Sequence, residues 1–321
     1  MIKIAILLLI AALFFIVVMV IDNHRFVVRE YTVRSPLIRY PVRVVFIADL
    51  HEKDYGDDNE KLVLEIAGQK PDLILIGGDL IVSGAVVSHN KKNSGSAGSD
   101  VSQPLDTEWM KKSLALMKKL TRICPVWFVR GNHEIRLGYY EEFGEYDALF
   151  RDEMEGAGVR FLENRCVDPA AEIRGGKESG ICLHGLELPM ESYKKFTKTT
   201  VSQDELVRLM GRPDPSSFNV LLTHTPVHFP QYALWGADLC LCGHVHGGLM
   251  RLPLIGGVMG TRPNLFPKYS GGQYSYDITG ADGERTSTLI VTCGLGMHTL
   301  PIRIFNPGEI SVIELAPAGD G

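Results

Sequence analysis

Short apolar runs that break off at a carboxylate, an amide or an imidazole recur along this chain, and they restrict its fold more than any other feature. Residues 43–48 lead into Asp49-Leu50-His51, residues 73–76 into Gly77-Gly78-Asp79, and residues 126–129 into Arg130-Gly131-Asn132-His133-Glu134. Further on, residues 219–222 lead to His224, and residues 237–242 to Gly243-His244-Val245-His246-Gly247-Gly248. Apolar runs of about four to six residues read as strands buried on both faces. Stretches with helical spacing separate them: 59–69, with Leu62 and Ile66 apolar; a segment from Asp106-Thr107 to Leu120; 141–155; and 202–210. Further strands are expected at 159–162, 181–184, 289–292 and 310–315. Strands interleaved with helices predict an α/β fold whose sheets are covered by helices, with the ligand site beyond the carboxyl ends of the strands.

Composition narrows the class. A chain of 321 residues can bury a sizeable core, and its net charge of −5 gives no sign of a nucleic-acid-binding surface. Of the six cysteines, Cys182, Cys240, Cys242 and Cys293 lie in strand-like apolar runs, and disulfides are not expected. Residues 4–21 are unbroken apolar sequence, about 27 Å long as a helix, close to the thickness of a hydrocarbon core. Asp22-Asn23-His24-Arg25 follows with no small-residue cleavage pattern, so residues 1–24 read as a single-pass membrane anchor. The expected organisation is this anchor, a linker over 25–42 and one catalytic domain over 43–316. Arg25, Arg29, Arg34, Arg39 and Arg43 follow the span and only Lys3 precedes it, which favours a cytoplasmic domain. Residues 83–105 are rich in Ser, Gly and Asn and predict a flexible insertion. Residues 247–276 predict a long irregular loop that shapes access to the neighbouring histidines.

The polar strand ends carry the chemistry. Asp49, His51, Asp79, Asn132, His133, His224, His244 and His246 combine nitrogen and oxygen donors, a set that suits Mn, Fe, Zn or Co better than calcium. On an extended segment His244 and His246 would point to one side roughly 7 Å apart, too far to share one ion but suited to two ions. Asp79, alone on its strand end, is the natural bridge between them. Glu134 could support the ligands, or simply start a helix. His298 lies in a Gly-rich turn that could face the site, and Arg303 could bind a phosphate oxygen. His184 reads as a core histidine. His228 follows His224 by four residues, but Pro226 breaks a helical pairing, and it is assigned no metal.

In this order the motifs Asp49-x-His51, Gly78-Asp79, Gly131-Asn132-His133-Glu134, His224 and Gly243-His244-x-His246 resemble the calcineurin-like metallophosphoesterase superfamily. The N-terminal apolar segment and the tail around Gly294-Leu295-Gly296 and Pro301-Ile302-Arg303 resemble its membrane-associated bacterial YkuE/YaeI-like branch. The resemblance implies a two-sheet sandwich flanked by helices and two divalent metal ions. It places Asp49, His51, Asp79 and His246 around one ion, and Asp79, Asn132, His224 and His244 around the other. It implies hydrolysis of phosphodiester or pyrophosphate bonds by a metal-activated hydroxide, with His133 as general acid or phosphate clamp. Many phosphoprotein phosphatases carry an acid three residues after the bridging aspartate; here that position is Val82, which counts against a protein-phosphatase role. The anchor suggests a lipid-linked substrate, such as a UDP-sugar lipid. Two alternatives stand beside it: a tethered phosphatase acting on nucleotides or phosphoproteins, and a non-catalytic, metal-stabilised membrane scaffold.

Overall fold

The computed structural model describes residues 1–86, 107–173, 178–194, 200–261, 264–280, 283–298 and 300–319. Beyond Val86, the insertion expected at 83–105 lies outside the described residues, as does Asp106. Two six-stranded sheets form the centre. In chain order the strands are Phe26–Ser35 (β1), Val42–Ile47 (β2), Leu73–Ile76 (β3), Val126–Phe128 (β4), Arg160–Phe161 (β5), Cys166–Val167 (β6), Ile181–Leu186 (β7), Phe218–Thr223 (β8), Leu239–Cys242 (β9), the hairpin Arg251–Leu252 (β10) and Gly256–Gly257 (β11), then Gly272–Gly280 (β12), Gly283–Val291 (β13) and Gly308–Pro317 (β14). One sheet has the order β1-β14-β2-β3-β4-β5, the other β12-β13-β9-β8-β7-β6.

Strand periodicity explains the layering. On β2, Val44 and Phe46 face the second sheet and join a core with Leu75, Trp127, Leu183, Val220 and Leu241. The alternate residues Val45 and Ile47 face outward and pack with Leu62 and Ile66 of helix Glu60–Gly68, Met117 of helix Lys111–Leu120 and Phe150 of helix Gly144–Gly156. On the far side, Leu221, Cys240 and Val291 meet Leu206 of helix Gln203–Met210 and Phe229 of helix Phe229–Trp235. Both faces of each central strand are therefore covered, which is why these strands read as continuous apolar runs. The result is a helix–sheet–sheet–helix sandwich, the expected α/β class. The strands β2, β3 and β4 run parallel, as do β7, β8 and β9, so their carboxyl ends gather at one edge of the sandwich.

Four expectations need correction. The segment taken as a linker contains β1, a ten-residue strand parallel to β14, with Arg29 paired to the buried Glu309 at 3.6 Å. The irregular loop is shorter than expected, because β12 begins at Gly272 and pairs along its length with β13. Cys166 and Cys182 form a disulfide between the edge strands β6 and β7. The fourth correction lies at the histidine pair: the chain there is not extended, and His246 opens a 3-10 turn.

The N-terminal helix Ile2–His24 is long and apolar enough to cross a membrane, with a mean hydropathy of 3.5 and none of its apolar window buried. Its carboxyl end is tied into the fold. Asp22 is buried, accepts the Asn306 N–H at 2.9 Å and pairs with Arg25. Asn23 donates to the Pro301 carbonyl at 2.7 Å.

Candidate metal centre

The strand ends bring the sequence-derived residues together. Asp49, His51 and His246 offer ligand atoms within 4.8 Å of one another, and so do Asp79, His224 and His244. The two groups adjoin: His224 Nε2 lies 3.1 Å from Asp79 Oδ2 and 3.9 Å from Asp49 Oδ1, while His51 Nε2 lies 3.8 Å from Asp79 Oδ2. Asp79 thus stands between both sets of imidazoles. The chain is sharply bent to achieve this. Asp49, His51, Asp79, His244 and His246 all have positive φ, between 48° and 74°. Such conformations cost of order 1–3 kcal/mol each and persist where the surroundings over-determine them, typically at functional sites. The loops also pack backbone to backbone: a Cβ on Gly78 would collide with the Gly131 amide, and one on Gly131 with the Asp79 carboxylate.

Hydrogen bonds set the imidazole tautomers. His51 Nδ1 meets the Ile81 carbonyl at 3.2 Å, His246 Nδ1 the Gly296 carbonyl at 3.1 Å, and His224 Nδ1 the Gly77 carbonyl at 2.7 Å. A carbonyl only accepts, so each Nδ1 carries the proton and each Nε2 turns inward. His51 Nε2 and His246 Nε2 then face each other at 3.3 Å. Two neutral acceptors at that distance suit a shared cation. His244 is reversed: Nδ1 lies 3.2 Å from His224 Nε2, and Nε2 meets the Thr261 hydroxyl at 3.1 Å.

Electrostatics agree with a cation site. Burial pushes the Asp49 carboxyl up to about 7, the reverse of what an ion ligand needs unless a positive charge restores it. Burial also opposes ionisation of Asp79, but the His224, His133 and His51 rings outweigh it and hold this carboxyl well below the usual range. Burial lowers His51 to about 3, leaving a neutral ring at pH 7. His224 is the exception: burial disfavours its charge, yet Asp79 and Asp49 together raise it to about 9. In the absence of metal a proton on His224 offsets one of the two carboxylate charges. The last sign is Asn132, buried, with its Oδ1 lacking any hydrogen-bond partner among the described residues. A buried amide oxygen left bare costs stability unless something binds it. The donor set therefore fits two divalent ions.

His133 sits at the start of helix Asn132–Tyr139, and its N–H holds Asp79 Oδ1 at 2.8 Å. Its Nδ1 accepts the Ser83 N–H at 3.0 Å, so the proton of the neutral ring is on Nε2. Burial, first of all, lowers this group to about 4. The orienting partner missing at Val82 is thus supplied by the next residue's backbone. Glu134 accepts N–H groups from Asp79, Leu80, Ile81 and Gly131, tying the two strand-end loops together.

Residues 42–248 match the family described as calcineurin-like phosphoesterase. The chain belongs to the calcineurin-like phosphoesterase family. Members are metal-dependent phosphohydrolases, and this chain carries the fold and the donor set of one. It is 26% identical to the metallophosphoesterase YkuE of Bacillus subtilis (strain 168), over 92% of this chain and 87% of that protein. It is 25% identical to the metallophosphoesterase Cj0846 of Campylobacter jejuni, over 90% of this chain and 63% of that one. Phosphodiesterase YaeI of Escherichia coli (strain K12) is 27% identical over 67% of this chain and 64% of its own length. The chain therefore spans less than two thirds of Cj0846 and of YaeI.

In this phosphoesterase the two remaining candidates part company. His298 is exposed, with its ring 4.6 Å from that of His133 and 4.7 Å from that of His51, so it stands at the mouth of the site. Arg303, expected to contact phosphate, is 1% exposed, and its terminal nitrogens donate to the carbonyls of Cys293, Gly294, Gly296, Asn306 and Pro307. Its role is structural: it gathers the loop that presents the Gly296 carbonyl to His246. His184 bonds Asn219 Oδ1 at 2.9 Å and is the core residue expected. Ser83, Thr261 and Tyr193 were not foreseen. The Tyr193 ring stacks edge-on against His244, and its buried hydroxyl has no partner among the described residues.

Proposed function

We propose that this chain is a membrane-anchored dimetal phosphoesterase that cleaves a phosphodiester or pyrophosphate bond in a lipid-linked substrate. The observation that carries the dimetal reading is the unpartnered Asn132 oxygen, one residue from the N–H that grips Asp79. Asp49, His51, Asp79 and His246 would hold one ion, and Asp79, Asn132, His224 and His244 the other. Ions of the Mn, Fe, Zn or Co type supply Lewis acidity toward a phosphoryl oxygen and an acidified water. The protein's own groups do the rest. His133 presents Nε2–H toward the site and can give that proton to the leaving oxygen or clamp a phosphate oxygen. His298 stands where it can touch the substrate on its way in. A cleft of about 240 Å³, lined by Thr225, Val227, His244, Thr261, Asn264 and Tyr269, adjoins the His244 side and has room for part of the substrate beyond the phosphate.

The anchoring reading rests on the N-terminal helix. A cleaved signal sequence would remove Asp22 and Asn23, which are hydrogen-bonded into the domain. The side of the membrane is weighed by two opposed features. The arginines after the span favour the cytoplasm, whereas the Cys166–Cys182 disulfide favours an oxidising compartment. A reporter fused after Gly321 decides between them.

The assay uses detergent-solubilised full-length protein, Mn²⁺ and bis(4-nitrophenyl) phosphate. Turnover should fall by about 10³-fold in Asp79→Ala, a loss typical of removing transition-state charge stabilisation. Equal turnover in the two proteins would contradict the reading. A screen of lipid diphosphates against nucleotide monoesters and phosphopeptides separates it from a tethered phosphatase with soluble substrates.

A further inference from the structure

Beside the metal centre lies a rim of exposed apolar side chains that neither the core nor the chemistry uses. The β10–β11 hairpin carries Leu254 and Ile255 at its tip, with Leu254 fully exposed. Leu265 and Phe266 follow on the next turn, and Leu300 and Phe305 project from the neighbouring loop; all are more than 40% exposed. Backbone hydrogen bonds tie the segments around these side chains to one another. Arg251 N–H donates to the Ile304 carbonyl, Ile304 N–H to the Leu249 carbonyl, and Phe266 N–H to the Val258 carbonyl. The patch also belongs to the metal centre, because Asn306 donates to the His246 carbonyl and Thr261 reaches His244. Clustered apolar side chains on a soluble face are unusual and mark a contact surface.

The N-terminal helix indicates what covers it. Phe305 packs against Phe14 and Phe15, with ring centroids 6.3 Å apart in both pairs. Asp22, tied to Asn306, is seven positions further along the helix than Phe15, about 10 Å at helical rise. Phe305 therefore reaches well below the polar end of the apolar segment, to a depth typical of side chains seated in the boundary between headgroups and acyl chains. The hairpin is tied to the adjacent Ile304 by the backbone hydrogen bond from Arg251, and Ile304 in turn to Leu249.

We infer that the rim of Leu254, Ile255, Leu265, Phe266, Leu300 and Phe305 is a second membrane contact, seated in the same bilayer that the N-terminal helix crosses, and that it turns the mouth of the metal centre toward lipid headgroups. This rests on reading that helix as a span, and it deepens the lipid-linked substrate proposal: the phosphate attacked is one presented at the bilayer surface. The occupant is a lipid surface. A protein partner would not need to lie at the level of Phe14.

The test uses the full chain in phosphatidylcholine–phosphatidylglycerol vesicles. The four free cysteines among the described residues are buried, so Leu254→Cys can be labelled selectively with an environment-sensitive fluorophore. Leu234→Cys is the control, on helix Phe229–Trp235, which leads away from the site. Brominated lipids should quench the probe at 254 at least several-fold more than the probe at 234. Equal quenching in protein that floats with the vesicles overturns the inference, whereas protein that does not float overturns the span on which it rests. In a second arm, Leu254→Asp/Ile255→Asp should lower turnover of a vesicle-borne phospholipid diester about tenfold and leave turnover of bis(4-nitrophenyl) phosphate unchanged. Equal loss on both substrates also overturns the inference. Failure of the wild type to turn over either substrate points instead to the phosphoesterase reading, and the quenching arm still decides the membrane contact.

Discussion

The two proposed ion positions are built differently. At the first, Asp49, His51 and His246 are all buried, and both histidines are held by main-chain carbonyls, those of Ile81 and Gly296. At the second, only His224 is held that way. His244 is half-buried and depends on the Thr261 hydroxyl, a side chain on the rim loop, while the Asn132 oxygen waits without a partner. One position is held by main-chain carbonyls, and the other is completed by a side chain. Outer contacts of this kind orient ligands and tune affinity. The first position should therefore bind its ion more tightly, and the second should exchange faster and respond to what occupies the rim.

The largest effect belongs to neither position: His133→Ala should cost about 10²- to 10⁴-fold in kcat, as loss of a general acid does, while metal analysis still finds two ions per chain. Loss of an ion together with activity would make His133 a ligand rather than a proton donor. Next, Arg303→Met strips the charged hydrogen bonds from a buried nest of carbonyls, one of which also orients His246. It should destabilise the protein by about 3 kcal/mol, read by denaturant titration, and weaken the first position selectively. Thr261→Val should do the converse. It should weaken the second ion about 10- to 100-fold by calorimetric titration and leave the first unchanged. The smallest effect is in pH. His224 carries a proton up to about pH 9 in the metal-free site, and the second ion must displace it. Affinity there should fall as pH drops below 9, at most about tenfold per unit, with about one proton released from the ring at pH 7. The His51 ring, neutral down to about 3, should release none.

The difference between the positions was only half legible in the sequence. A ligand that ends an apolar strand announces itself, because the run fixes the strand and the fold fixes where its carboxyl end lies. Asp49, Asp79, His224 and His244 were singled out that way, and the α/β class followed from the same runs, whereas the two-sheet sandwich came from the resemblance of the motifs to the family. The supports were not legible. Ser83 orients His133 through a backbone N–H, which leaves no residue-type signal. Thr261 is an ordinary threonine in a Gly- and Pro-rich loop. The histidine pair reads as extended, because nothing in Val245 reveals the left-handed turns on either side of it. β1 was hidden by its arginines and by a partner at the far end of the chain, β14, with which it pairs in parallel. Arg303 looks like a phosphate ligand by type. Only the carbonyls converging on it reveal a structural residue.

The most direct test is a crystal of the full chain soaked in Mn²⁺, with anomalous differences measured at the manganese edge. Two peaks are expected about 3.5–4 Å apart, one against Asp49, His51 and His246, the other against Asn132, His224 and His244, with the Asp79 carboxylate touching both. A single peak, or two peaks that do not share Asp79, would contradict the dimetal reading.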